Sequence, residues 1–214
     1  MTADEKTRML RVIELLESEY PNARTALNYS SPLEILVATI LSAQCTDKIV
    51  NIVTKTLFQK YRTAEDYAKS DLRKLEKEIK PTGFYHNKAK NIKKSSQMLV
   101  EKFNSIIPRT MEEMVELPGV ARKTANIVLQ NAYGVIEGIA VDTHVFRLAQ
   151  RLGFTQKKDA NKIERDLMEL VPREKWAKVT DLLISHGRAI CMAKKPKCAQ
   201  CLLNKLCPCA FKFG

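Results

Sequence analysis

Leu117 to Asn126 reads LPGVARKTAN, a run whose residue types suit the handling of a phosphate. Pro118 and Gly119 break the chain after a short helical segment. From Ala121 a helix restarts with Ala125, Val128, Leu129 and Ala132 on its apolar face. The turn therefore aims a helix N-terminus at solvent, where backbone N–H groups without intrahelical partners carry partial positive charge and seat an anion. Arg122 and Lys123 lie in the first turn of this helix, where the dipole disfavours cations. A stability rule broken at a turn is a pointer to function.

A second constellation closes the chain. Cys191, Cys198, Cys201 and Cys207 are spaced Cys-x6-Cys-x2-Cys-x5-Cys, a complete four-thiolate set for a structural zinc or a [4Fe-4S] cluster. Spacing alone barely separates the two, although the asymmetry and the Cys207-Pro208 step are features of cluster-binding runs. Cys209 is a spare thiol that competes for the fourth position, and Cys45 is expected to be a packed core thiol on the second helix. Lys194, Lys195 and Lys197 fill the loop between the first two cysteines; pinned by a metal centre, that loop becomes a basic finger for phosphates, and unpinned it is solvated charge.

The elements that must position these residues read as helices almost throughout. Met9, Val12, Ile13 and Leu16 make one apolar face, ended by Pro21. Ser31, Pro32 and Glu34 predict a capping box opening LEILVATILSA, a helix apolar on nearly all sides. A third helix starts near Asp47, and Thr63 with Asp66, and Thr110 with Glu113, repeat the capping pattern. After the break at Pro81-Thr82-Gly83 comes a long helix in which Lys88, Lys90, Lys93 and Lys94 supply much of the charge. Gly134 stops the helix that began at Ala121. Asp142 is placed as the N-cap of a helix with Val145, Leu148, Ala149 and Leu152 buried. Two further helices follow, one carrying Ile163, Leu167 and Leu170, the other carrying Trp176, Val179, Leu183, His186 and Ile190 and running into Cys191. No strand, repeat or low-complexity segment is evident, so the class is all-α, with a boundary near Gly134 to Gly138.

Composition narrows the partners. The 214 residues carry a formal charge of +12, spread along the chain rather than gathered in a tail, which points to a folded body that binds a polyanion. MTADEKTRML has no apolar h-region, and ILVATIL is too short to span a bilayer, so an unexported, cytoplasmic protein without membrane contact is expected. In that setting clustered cysteines favour a metal centre over disulfides.

LPGVARKTAN, VDTHVFRLAQRL and the four-cysteine run, in this order and spacing, make the chain similar to the endonuclease III family of the helix-hairpin-helix DNA glycosylase superfamily. The similarity extends from SPLEILVATILSAQCTD to the last cysteine of the set. The resemblance implies two all-α domains: a six-helix domain over residues 24–134, containing the helix-hairpin-helix, and a second built from residues 1–23 plus 135–214, with a [4Fe-4S] loop over 191–207. A DNA-binding cleft between them would take a base flipped out of the duplex. The implied activity is that of a bifunctional glycosylase and abasic-site lyase. It removes oxidised pyrimidines from double-stranded DNA in base excision repair, working as a monomer on nucleoid DNA.

Such chemistry needs an amine to attack the sugar C1′, forming a Schiff base that permits β-elimination of the 3′ phosphate. Lys123 matches the family position, its neutral form favoured by Arg122, the helix N-terminus and partial desolvation. The resemblance assigns Asp142 to activating that nucleophile or stabilising positive charge on the sugar; it can serve as a helix cap at the same time. Gln44 matches the residue that fills the gap left by the extruded base. Phe84 matches the wedge pushed into the base stack, where many relatives have leucine, with Tyr85 as a companion; a place in the core is the competing account of Phe84. Pro118, Gly119, Val120, Ala121 and Arg122 form the implied phosphate grip. The family more often has a second glycine where this chain has Ala121, which requires a negative φ there. Capping and helix packing account for Asp47, His144 and His186. The alternatives are an adenine mismatch glycosylase, whose members usually have serine at the Lys123 position, and a non-catalytic DNA-binding module holding zinc. A phosphate-loop nucleotidase fails because the second glycine before Lys123 and Thr124 is missing.

Overall fold

The computed structural model describes residues 3–212, and among them every regular element is helical. In chain order the α-helices are α1 (Ala3–Glu19), α2 (Pro32–Leu41), α3 (Asp47–Lys60), α4 (Ala64–Ala68), α5 (Leu72–Ile79), α6 (Tyr85–Lys102), α7 (Met111–Met114), α8 (Arg122–Tyr133), α9 (Thr143–Arg151), α10 (Ala160–Leu170) and α11 (Trp176–Ala189). Among the described residues none is long and apolar enough to cross a membrane. The chain divides into two compact units, Ala26–Glu137 and Met1–Thr25 with Gly138–Gly214.

In the central unit α2 is the core element. Every residue from Ile35 to Leu41 is buried, as a helix apolar on all sides requires. It shares one core with Val50, Val53 and Leu57 of α3, Leu75 and Ile79 of α5, Ala89, Ile92 and Leu99 of α6, and Ala125, Val128 and Leu129 of α8. Thr63 and Asp66 close the expected capping box at α4. The box at Ser31 is only half formed. Its hydroxyl accepts from the Glu34 N–H at 3.2 Å, but the Glu34 carboxylate turns to the backbone N–H and hydroxyl of Ser30 instead. Helix α2 also stops at Leu41, earlier than its apolar run suggests, because Ser42 caps it and the chain then turns. Cys45 therefore sits in the turn after the helix, half-buried against the core rather than inside it.

The second unit is discontinuous in sequence. Met9, Val12, Ile13 and Leu16 of α1, at helical spacing, share one core with Val145, Leu148 and Ala149 of α9, Ile163, Leu167 and Leu170 of α10, and Val179, Leu182 and Leu183 of α11. Truncating any one of the larger of these side chains to alanine costs about 2–5 kcal/mol. The Arg8 guanidinium fixes α1 further: it donates to the carbonyls of Leu152 and Leu206 and lies 4.4 Å above the Phe154 ring.

Candidate active site and cysteine centre

Helices α7 and α8 are joined by Val115–Ala121, and this turn is held from below by α6. The Ser95 hydroxyl donates to the Pro118 carbonyl at 2.6 Å, and Asn91 packs against Gly119, where an added Cβ would lie 2.6 Å from Asn91 Nδ2. Gly119 has φ +81°, a conformation that glycine alone takes at no steric cost. Ala121, the N-cap of α8, has φ −89°, so a residue with a Cβ fits there without strain. The Val120 side chain is buried and its N–H donates to the Leu117 carbonyl at 3.0 Å, which keeps that amide inside the turn. Arg122 reaches the Glu137 carbonyl at 3.4 Å. Lys123 stands in the first turn of α8, exposed, so the partial desolvation expected of it is not provided by the chain itself.

Gln44 and Phe84 share a backbone feature that sequence does not announce. Both are non-glycine residues in the left-handed region, at φ 52° and 48°. Such residues cost of order 1 kcal/mol or more and persist where the surroundings enforce them. Gln44 is exposed in the turn between α2 and α3, and Phe84 is 65% exposed at the N-cap of α6, which removes the core account of that ring. Tyr85 is different: it packs partly against the core and lies 4.2 Å from the His86 ring.

Lys88 departs most from expectation. It is a buried residue, 4% exposed, and its ammonium donates to the carbonyls of Leu41 at 2.8 Å and Thr82 at 2.7 Å. Burial pushes its pKa down. Lys90 and Lys94 do face solvent.

In the second unit Asp142 caps α9. One carboxylate oxygen, Oδ1, accepts from the backbone N–H groups of His144 and Val145, both at 2.8 Å, leaving Oδ2 outside the cap. His144 Nδ1 lies 3.1 Å from Arg147 Nη2; since a guanidinium only donates, that nitrogen accepts and the ring is neutral. Burial, assisted by Arg147 and Arg188, holds the His144 pKa down against the pull of Asp142. Asp47 is the first residue of α3, and Thr46 is its cap.

The four cysteines Cys191, Cys198, Cys201 and Cys207 line one cavity with Arg151, Pro196 and Asn204, and Cys209 lies in the same wall. All are free thiols. Among the described residues no three His, Cys, Asp or Glu side chains form a set that holds a single metal ion, whose four thiolates would each lie about 2.3 Å from it. Burial and the neighbouring cysteines push the Cys201 and Cys207 thiols up. Four thiols on one cavity wall make a complete donor set for a four-thiolate metal centre.

The surroundings of this cavity were not found from sequence. Arg151 donates to Cys191 Sγ at 3.4 Å and to the carbonyls of Met192 and Ala193; Arg147 donates to the carbonyls of Cys191 and Gly187. Together they fasten the start of the cysteine loop to α9. His186, 1% exposed, is more than a packing residue: its Nε2 lies 3.4 Å from Cys201 Sγ and its Nδ1 lies 3.2 Å from the Tyr20 hydroxyl. The signal was its place one turn before Cys191 on the helix that delivers the first thiol. Lys194, Lys195 and Lys197 are exposed, with Lys195 at φ +50°.

Comparison with known proteins agrees with this architecture. Residues 37–173 match the family model described as HhH-GPD superfamily base excision DNA repair protein. The chain is 50% identical over 208 residues to endonuclease III of Synechocystis sp., covering 97% of this chain and 95% of that one. It is also 50% identical to endonuclease III of Bacillus subtilis, covering 88% and 86%. A solved structure of a trapped endonuclease III–DNA covalent intermediate is 43% identical, with a TM-score of 0.94 over 99% of both chains. The chain belongs to the HhH-GPD superfamily of base excision DNA repair proteins and, within it, to the endonuclease III family.

Proposed function

We propose that this protein removes oxidised pyrimidines from double-stranded DNA and then cuts the strand at the abasic site, with Lys123 as the nucleophile. The observation that carries the reading is the hairpin itself: a glycine turn opens α8 and puts a primary amine in its first turn, at a helix N-terminus that no side chain caps and that favours an anion. Membership of the endonuclease III family supports the same assignment.

The Lys123 amine, once deprotonated, forms a bond to C1′ as the C1′–base bond breaks, and the base leaves with the electron pair. Loss of the amine proton and opening of the sugar ring, with O4′ protonated, give the iminium. A proton then leaves C2′ and the C3′–O bond breaks, releasing the 3′ phosphate and completing β-elimination. Asp142 assists as a carboxylate, taking a proton or offsetting positive charge on the sugar. Pro118, Gly119, Ala121 and Arg122 hold the strand, Gln44 fills the gap left by the flipped base, and Phe84 parts the stack with Tyr85 beneath it. Cys191, Cys198, Cys201 and Cys207 hold a [4Fe-4S] cluster, which when bound cross-links their loop and presents Lys194, Lys195 and Lys197 to the backbone phosphates. The protein acts as a monomer in the cytoplasm, on nucleoid DNA.

Borohydride reduction of the protein mixed with an abasic duplex is expected to trap one covalent adduct, and Lys123→Gln to abolish it. Full lyase activity in Lys123→Gln overturns the assignment. On a panel of duplexes bearing oxidised pyrimidines, oxidised purines or an adenine mismatch, excision confined to the adenine mismatch would move the protein to the adenine glycosylase branch. Stoichiometric zinc in place of iron in the purified protein would favour the non-catalytic module.

A further inference from the structure

Three DNA-facing features of the proposed reading converge on one helix. Lys88, Asn91 and Ser95 lie at positions i, i+3 and i+7 of α6, one face of the helix. At the N-terminal end of that face, the Lys88 ammonium bonds to the Leu41 carbonyl, three residues before Gln44, and to the Thr82 carbonyl, two residues before Phe84. Farther along, Asn91 fills the space against Gly119, and Ser95 bonds to the Pro118 carbonyl. The side chains meant to replace the flipped base and to part the stack are thus tied to one ammonium. The turn meant to hold the phosphates rests two helical turns away on the same rod.

As a device for stability Lys88 is a poor choice. A buried ammonium loses its hydration, no ion pair answers it among the described residues, and burial lowers its pKa. What two carbonyl bonds from a single group do provide is a fixed separation between the loops that carry them. Gln44 and Phe84 are also the non-glycine residues of positive φ nearest those carbonyls in sequence, and such conformations require enforcement from outside.

We infer that Lys88 is a positioning residue: it locks the Gln44 turn and the Phe84 turn in register, and the α6 face it shares with Asn91 and Ser95 sets their distance from the hairpin. The inference rests on the proposed roles of Gln44 and Phe84, and the test separates the two.

The variants are Lys88→Met, which removes the donors at similar length, and Lys88→Gln, which keeps a shorter donor. Each is made in the full chain, with folding checked by circular dichroism. The readout independent of chemistry is the fluorescence of 2-aminopurine placed opposite the lesion, which reports unstacking when the duplex is opened. Lys88→Met is expected to lose most of the fluorescence rise and to excise the damaged base at least about tenfold more slowly, the scale set by small misplacements of positioning groups. Borohydride trapping on a preformed abasic duplex, where no base needs extrusion, is expected to fall less than about threefold, a change below one tenfold free-energy step. Adding Phe84→Ala to Lys88→Met is expected to cause little further loss, because both act through the same opening. If Gln44→Ala and Phe84→Ala leave fluorescence and excision unchanged, the roles of those two residues fail. If they lower both while Lys88→Met does not, the inference about Lys88 is overturned. Failure of both Lys88 variants to fold assigns the residue to stability and overturns it as well.

Discussion

Asn91 occupies the space that a side chain on Gly119 needs: an added Cβ would lie 2.8 Å from the Asn91 Cβ, on a backbone at φ +81°. Gly119→Ala therefore meets two obstacles, a left-handed conformation and an occupied neighbour. The expected outcome is a loss of about 1–3 kcal/mol in unfolding free energy and weaker binding to an abasic-analogue duplex, measured by anisotropy at fixed salt. Adding Asn91→Ala relieves the contact but not the φ, so stability returns only in part. Full recovery in the double variant would show that the backbone conformation is not the constraint.

Asp142 carries two separable tasks. Because Oδ1 alone accepts both cap bonds, Asp142→Asn retains an acceptor there, and its denaturation midpoint is expected to match the parent within about 0.5 kcal/mol. The same variant loses the negative charge, so single-turnover excision should fall by at least about a hundredfold. Asp142→Ala removes cap and charge together and should lose about 1 kcal/mol of stability in addition. Unchanged excision by Asp142→Asn would limit the residue to capping.

Asp181 on α11 gives the protein a pH-dependent stability. Burial pushes its carboxyl up to about 6, with Arg188 opposing in part. A carboxyl with a folded-state pKa above its ordinary value binds the proton more tightly in the folded chain, so its ionisation works against folding. Its contribution is best below about pH 4, declines as pH rises through 4 to 6, and is constant above. Asp181→Asn should stabilise the protein at pH 8 by roughly 1–3 kcal/mol and give no gain at pH 4. Urea midpoints at the two pH values decide the matter, and equal effects at both would sink the idea.

Cys209 shares the cavity wall with the four proposed ligands, so spacing and geometry together leave a choice at the last position. With Cys207 as the ligand, Cys209→Ser should retain the full iron content and visible absorbance per chain. Cys207→Ser should lose most of both. The reverse pattern would move the ligand by two residues.

The helices were legible because their signals are local. Thr63 with Asp66 and the glycine at 134 act within one turn of chain, and the structure honours each. What stayed hidden depends on partners distant in sequence. Lys88 lies among Lys90, Lys93 and Lys94, and only its spacing of four and eleven residues from Ile92 and Leu99 hints at the core side of α6. Its carbonyl partner on Leu41 is 47 residues away, and no pattern within α6 announces it. For the same reason the apolar run LEILVATILSA overstates α2: the turn after Leu41, which moves Cys45 off the helix, is stabilised from α6. His186 looked like packing because its meaning comes from Cys201 and Tyr20, which lie 15 and 166 residues from it.

The discontinuity of the α1 unit also fixes an order of assembly. The fully buried core of the central unit ends in sequence at Leu129, whereas the next fully buried residue that shares the core of the α1 stripe is Ile139. During synthesis at about 5–20 residues per second, α1 waits for a time on the order of ten seconds with Met9, Val12, Ile13 and Leu16 uncovered. The half that carries the hairpin folds meanwhile. The four thiols reach solvent last, so a chain stalled near Gly138 would hold a finished hairpin and an unprotected first helix, a natural substrate for a chaperone that captures nascent apolar stripes.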